Sequence, residues 1–218
     1  MLHRRHFLLR AALALSGAVL ALPMLLSPHP AAAQAPDSET VQAAERFVRD
    51  LGQSAIETLA KPELTEAETE ARFRELLTQG FDTPLIGRFV LGRYWNVATS
   101  EQRQEYLDLF ERLIVDVYAD RFSQYSGETL EVTGARPVGG ASSDVVVASR
   151  ILRPAGAPVQ VEWRVRPSGD GDLQIIDVIV EGVSMSVTQR SEFASVIQSR
   201  GGQVQGLLDA LRERVGGA

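Results

Sequence analysis

Apolar residues recur at helical spacing from 36 to 128 and alternate from 129 to 187, with helical spacing returning from about residue 188. In the first stretch Ala44, Val48, Leu51, Ala55 and Leu59 share one helix face, with Phe47 beside them. Thr65 and Glu68 form a capping box opening a second helix, whose apolar face is Phe73, Leu76 and Leu77. Thr83-Pro84 supplies a cap and a first-turn proline for a short helix from Leu85 to Leu91, ended by Gly92. A second capping box, Thr99 to Gln102, starts the longest helix, which runs to about Tyr125. Two adjacent stripes, Tyr106/Phe110/Leu113/Val117 and Leu107/Ile114/Tyr118, with Leu109 and Phe122 near them, make that helix apolar over more than half its circumference. A helix of that kind is buried on several sides.

The alternating half predicts four strands: Leu130–Thr133, Asp144–Leu152, Val159–Arg166 and Leu173–Gly182, with a loop over Gly134–Ser143. Short Pro/Gly turns, at Pro154–Pro158 and Pro167–Gly171, join antiparallel neighbours. In the third strand Val159, Val161, Trp163 and Val165 alternate with polar residues, which leaves one face wet. In the fourth, Ile176, Val178 and Val180 fall on one side, and Leu173, Ile175, Asp177 and Ile179 on the other. The expected fold is α+β: a curved antiparallel four-stranded meander with helices packed on one face.

The N-terminus reads as an address. A cationic start with Arg4, Arg5 and Arg10 precedes an apolar run from Ala11 to Leu26 and the small residues Ala31-Ala32-Ala33, the three zones of an export signal. Ser16, Gly17 and Pro23 interrupt the run, which is shorter than the ~20 residues needed to span hydrocarbon. Cleavage after Ala33 gives a signal over 1–33 and a single domain over 36–218; an uncleaved anchor is the alternative. Arg4-Arg5-His6-Phe7-Leu8 resembles the twin-arginine motif, so both the general and the twin-arginine export routes stay open. The expected destination is the periplasm.

Composition then narrows the chemistry. There is no cysteine, so disulfides, thiolate sites and a lipoprotein anchor are excluded. The three histidines, His3, His6 and His29, all lie in the leader, so the mature chain has no imidazole for a Ser-His-Asp arrangement or a metal. The chain carries −6; removing three leader arginines and no acid leaves 19 cations against 28 acids, or −9. That balance disfavours nucleic acid and discourages adsorption to anionic bilayers. Asp177, set among apolar neighbours on its strand, is the acid best placed to be a general base. Its structural alternatives are a pair with an arginine such as Arg190, or acceptance of backbone N–H groups near the sheet end. Trp95 and Trp163 suit either ordinary core or a greasy cavity.

Two runs carry a resemblance. Phe81-Asp82-Thr83-Pro84-Leu85-Ile86-Gly87-Arg88-Phe89-Val90-Leu91-Gly92-Arg93-Tyr94-Trp95 resembles the signature helix of the MlaC/toluene-tolerance family of periplasmic phospholipid-binding proteins. Ile175 to Met185, with Asp177-Val178 and Glu181-Gly182-Val183-Ser184, followed by Arg190 and Phe193, is similar to that family's second run. The resemblance covers about Phe47 to Leu211. It implies a carrier and no catalytic residue, metal or cofactor. Such proteins shuttle glycerophospholipid between an outer-membrane lipoprotein complex and an inner-membrane ABC transporter complex, maintaining outer-membrane asymmetry. Acyl tails lie between sheet and helices. Hopanoid or another apolar lipid is the alternative cargo, and a small proton-transfer enzyme using Asp177 the alternative activity. Membrane contact is expected to be transient and the chain monomeric. Face patterns then assign the tail wall: Phe89, Val90, Leu113, Val117 and Tyr118 from helices, and Val147, Ile151, Val161, Trp163, Val178 and Met185 from the sheet. Asp82, Gly92, Tyr94, Trp95, Asp177, Gly182, Ser184 and Arg190 match the motifs as architecture or docking residues.

Overall fold

The computed structural model describes residues 36–59, 61, 63–123, 125–168 and 171–216, with backbone alone at 120–123. The expected export segment, the Phe122 side chain and the Gly169-Asp170 tip of the third turn lie outside them.

Helices α1 (Ser38–Leu59), α2 (Glu66–Gly80) and α3 (Thr83–Leu91) lead through a 3-10 turn at Gly92–Asn96 into the long α4 (Ser100–Ser123). Strands β1 (Thr129–Pro137), β2 (Val145–Leu152), β3 (Val159–Pro167), β4 (Leu173–Val180) and β5 (Val183–Ser184) follow, then α5 (Met185–Ser199) and α6 (Val204–Val215). Both capping boxes close. The Thr65 N–H donates to Glu68 at 2.9 Å, and the Thr99 N–H to Gln102 at 3.1 Å, each with its reciprocal bond. The cap of α3 is Asp82, not Thr83: its carboxylate accepts the Leu85 N–H at 2.9 Å, because a carboxylate one residue earlier reaches the third amide of the helix. The last helical segment begins at Met185, three residues before expectation, so Met185 opens a helix rather than closing the sheet.

The sheet has order β1-β2-β3-β4-β5, antiparallel throughout. The strand beyond the expected four is a two-residue pairing at the β4 edge. Two bulges shape the sheet and overturn two expectations. β1 does not stop at Thr133; the register shifts between Val132 and Gly134, and pairing continues to Pro137. In β4, Arg164 faces Asp177 while Val165 faces Ile175, so Ile176 is an extra residue. A single inserted residue reverses the alternation beyond it. Leu173 and Ile175 therefore share a face with Val178 and Val180, and Asp177 looks out from the opposite face beside Arg164.

The helix-facing side of the sheet packs on α1, where Val145, Val147, Val165 and Ile175 meet Ala44 and Val48. A second cluster joins α3, α4, α5 and α6 through Leu91, Tyr106, Phe110, Phe193 and Leu208, and α2 packs on α4 through Leu77 and Val115. At Gly87 a Cβ would lie 2.8 Å from Leu107 and 3.1 Å from Phe110, so glycine sets how closely α3 and α4 approach. The Tyr106 hydroxyl donates to the Gly87 carbonyl at 3.0 Å. Burial raises its pKa far above the ordinary phenol value, keeping it a donor.

The outer side of the sheet is polar, with pairs Glu131–Arg150 and Arg136–Glu162 across strands. Asp144, fully buried, accepts from Arg164 at 2.7 Å and Arg166 at 2.6 Å. Burial pushes its pKa up, but hydrogen bonds and charge from Arg166 and Arg164 outweigh burial and hold it below the usual value. Its carboxyl thus titrates lower folded than unfolded. The stabilisation is complete at neutral pH and is lost as pH falls through about 4 and below. Asp144→Asn is expected to cost about 2 kcal/mol in urea denaturation at pH 7, since both arginines keep partial solvent contact. The difference from the parent should shrink on acidification; a constant difference would place the effect elsewhere.

Candidate functional site

The dry side of the sheet is unevenly covered. Val145, Val147, Val165 and Ile175 have no exposed surface, whereas Ile151, Val159, Trp163, Val178 and Val180, on the same side by register, are only half-buried. The incompletely covered patch lies where β3 begins and β4 ends. The indole N–H of Trp163 donates to Ser149 Oγ at 2.8 Å, and that hydroxyl donates to the Val161 carbonyl at 2.9 Å. The polar atom of the tryptophan is thus satisfied inside the sheet, and its ring is left as apolar surface.

The predicted wall residues divide. Val147, Ile151, Val161, Trp163 and Val178 come together on this one face. Val90, Leu113 and Val117 belong instead to the cluster between α3, α4, α5 and α6. Phe89 and Tyr118 are exposed at 42% and 38%, and Met185 is half-buried at the start of α5. Val147 and Val161 are packed under 4% exposure, so the side chains on the sheet with surface to offer are Ile151, Trp163 and Val178, joined by Val159 and Val180. The wall assignment omitted those last two, although both lie in phase with Trp163 and Val178. An open cleft of about 700 Å³ lies at the other end of β3 and β4, between Phe47, Thr78, Gln79 and Leu173; none of the predicted wall residues lines it.

The motif residues form joints. The Asp82 N–H donates to the Ile175 carbonyl at 3.0 Å, and Phe81 bridges to Ile175, so α3 starts from the edge of β4. One oxygen of Asp177 accepts Ser184 Oγ at 2.6 Å; the other accepts the N–H groups of Val178 at 2.9 Å and Ser186 at 3.1 Å. Ser184 in turn accepts the Val187 N–H and caps α5. Of the alternatives for Asp177, the structure forms the backbone-accepting one and not the pair with Arg190. Glu181 and Gly182, at φ 49° and 79°, make the tight turn before Ser184. The Glu181 carboxylate accepts the Gln160 N–H at 2.6 Å, and this holds a non-glycine residue in a left-handed conformation.

Arg190 joins the two motifs. Its guanidinium lies 5.1 Å above the Phe89 ring, and a Cβ on Gly92 (φ 58°) would meet its Nε at 2.8 Å. Tyr94 and Trp95 sit in the 3-10 turn, with Arg93 over the first ring and Arg88 and Arg103 over the second. Among the described residues no cluster of acidic or histidine side chains could hold a metal, and no helix is long and apolar enough to cross a membrane.

A family model described as MlaC protein matches residues 49–213. The chain is 25% identical over 118 residues to the intermembrane phospholipid transport system binding protein MlaC of Haemophilus influenzae, covering 53% of this chain and 54% of that one. It is 25% identical over 117 residues to the toluene tolerance protein ttg2D of Pseudomonas putida, covering 54% and 53%. The chain spans about half the length of the curated relatives it matches. A phospholipid-binding protein from Ralstonia solanacearum, solved in complex with a phospholipid, superposes with a TM-score of 0.71 at 28% identity, over 80% of this chain and 97% of that one.

Asp177→Asn keeps one acceptor oxygen for the backbone amides and replaces the charged acceptor of the Ser184 hydroxyl with an NH2 group. It is expected to lower stability by about 2 kcal/mol, read as a fall in the denaturation midpoint. Ser184→Ala should cost less, about 1 kcal/mol, because it removes the cap but leaves the Asp177 carboxylate its backbone donors. A larger loss for Ser184→Ala than for Asp177→Asn would contradict the joint as described.

Proposed function

The chain belongs to the MlaC protein family, and on that premise we propose that it is a periplasmic carrier that takes up glycerophospholipid tails and moves the lipid through water. In this proposal residues 1–33 are an export signal removed after Ala33, and 36–218 act as one monomeric carrier domain. It receives and delivers cargo at an outer-membrane lipoprotein complex and an inner-membrane ABC transporter complex. It is a carrier and not a catalyst: both oxygens of Asp177, the candidate base, are engaged in holding α5 to β4.

The observation that carries the reading is the half-covered apolar stretch Ile151–Trp163–Val178–Val180 on the otherwise dry side of the sheet. Two long tails expose about 30 methylenes, and at ~0.8 kcal/mol each their hydration costs on the order of 24 kcal/mol. An apolar wall that offers tails about what a bilayer offers makes transfer nearly isoenergetic. Direction then has to come from partner proteins. Tail binding of this kind needs no histidine, cysteine or metal.

Mass spectrometry of the freshly purified, denatured protein is expected to find about one co-purifying phospholipid per chain. Protein free of lipid would count against the carrier, and a co-purifying hopanoid would change the cargo class. Val178→Trp fills the half-covered stretch and is expected to abolish lipid occupancy at a stability cost below about 2 kcal/mol. Unchanged occupancy with a larger loss of stability would mean that Val178 faces closed core.

A further inference from the structure

Among the described residues eight arginines are paired with carboxylates: Arg49, Arg74, Arg136, Arg150, Arg164, Arg166, Arg200 and Arg212. Arg88, Arg93, Arg103 and Arg190 are arranged differently. Among the described residues none of the four has a carboxylate at ion-pair distance, and each lies over an aromatic ring: Arg88 and Arg103 over Trp95, Arg93 over Tyr94 and Arg190 over Phe89. All four belong to α3, the 3-10 turn, the start of α4, or α5, and α3 packs directly on α5. Arg103 also donates to the Trp95 carbonyl and is half-buried, whereas Arg88, Arg93 and Arg190 are exposed.

Of the five large hydrophobic side chains that stand exposed among the described residues, Phe89 and Val187 lie on α3 and α5, and Val97 and Val183 lie just outside these elements, after the 3-10 turn and in β5. Val187 and Arg190 are neighbours three positions apart on α5, and Val183 precedes its first turn. None of the four hydrophobics lines the open cleft. They are interleaved with the cations.

A guanidinium over a ring keeps N–H groups available for phosphate oxygens; of these, Arg93 already donates one N–H to the Tyr94 hydroxyl at 2.9 Å and has others left to give. Arginine, tryptophan and tyrosine side by side with exposed aliphatic groups make up the chemistry of side chains at the boundary between lipid and water. We propose that this α3–α5 face docks on the surface of an anionic phospholipid bilayer, with lipid phosphates on Arg88, Arg93 and Arg190 and with Phe89, Val183 and Val187 set among the headgroups. An acidic protein could meet the same cations. Exposed aliphatic side chains dispersed between the cations favour a fluid surface that conforms to them. The net charge does not forbid the contact, because repulsion from distant acids is screened beyond a Debye length of about 8–10 Å. This docking goes beyond the carrier reading and does not require it: the face could bind a bilayer whether or not the chain holds cargo.

Co-sedimentation with vesicles tests it, using phosphatidylglycerol and phosphatidylcholine in equal parts against phosphatidylcholine alone, at low and high salt. The full mature chain is expected to bind the anionic vesicles only, and less tightly at high salt. Arg88→Gln with Arg93→Gln should weaken binding about 25-fold, and adding Arg190→Gln about 125-fold, from roughly fivefold per cation near the surface. Arg46→Gln with Arg49→Gln on α1 changes net charge equally and should have little effect. The Arg88/Arg93 pair leaves the Arg190–Phe89–Gly92 contact intact, so it tests the face even where the triple variant folds poorly. The paired variant should also keep its co-purifying lipid, which separates this face from the cargo site. Failure of the wild type to bind anionic vesicles overturns the proposal, as does equal loss in the α1 variant or loss of cargo in the Arg88/Arg93 variant. Capture of an acidic protein through these arginines without vesicle binding also overturns it, and assigns the face to a protein partner.

Discussion

The sheet must keep one side dry and the other wet, and the rest of the fold is arranged around that. Alternation along β3 sends valines and Trp163 to one face and Gln160, Glu162, Arg164 and Arg166 to the other, so helices have to cover the first while ion pairs can occupy the second. Helix α1 covers half of the dry side, over Val145, Val147, Val165 and Ile175. The other half, at Ile151, Trp163, Val178 and Val180, is covered incompletely. Each further 100 Å² buried there would stabilise the fold by about 2.5 kcal/mol. A helix closing over that surface would gain from doing so, so where the helices are attached decides how much of it stays open.

Polar joints at the ends of elements set where the helices leave the sheet. Asp82 fixes α3 to the edge of β4, Asp177 and Ser184 fix the departure of α5 from the same strand, and Arg190 ties α5 back to α3 across Phe89 and Gly92. Hydrophobic burial is non-directional and would let helices settle wherever most area is covered. Hydrogen bonds have narrow geometry and set angles. A frame whose angles come from such joints can keep apolar surface accessible without collapsing onto it. On the carrier proposal this division of labour separates the two motif runs, which build the frame, from the unremarkable valines and the tryptophan that would touch cargo.

What could be read from the sequence was local. The capping boxes at Thr65 and Thr99, the apolar girth of α4, and the wet and dry faces of β3 each follow from a short window of residues. Features that depend on contacts between windows were not legible. The extra residue at Ile176 reverses the phase of β4, and nothing in Leu173–Val180 marks which residue is extra until the strand is paired with β3. The same holds at Gly134: in a single strand a glycine that permits a bulge looks no different from one that starts a loop, and only pairing with β2 shows that β1 runs on to Pro137. Asp144 looked like the first residue of a strand; its two arginines lie 20 and 22 positions away. The helix stripes were real, but periodicity alone does not say which of two clusters a buried face joins, and Val90, Leu113 and Val117 joined the one away from the sheet.

Charge has the same limitation as hydrophobic periodicity when taken as an average. At −6 for the whole chain, a uniform distribution would leave every face weakly repelled by an anionic surface. The distribution is not uniform: on the outer sheet face arginines are consumed by carboxylates, while along α3 and α5 they lie over rings. A ring holds a guanidinium in place without neutralising it, so aromatic support preserves a local field that an ion pair would cancel. Within a Debye length the local pattern governs what approaches; beyond it the average matters little. The aromatic content of the signature helix and the turn after it therefore has a second physical consequence besides packing. It holds four arginines in place without pairing them to a carboxylate.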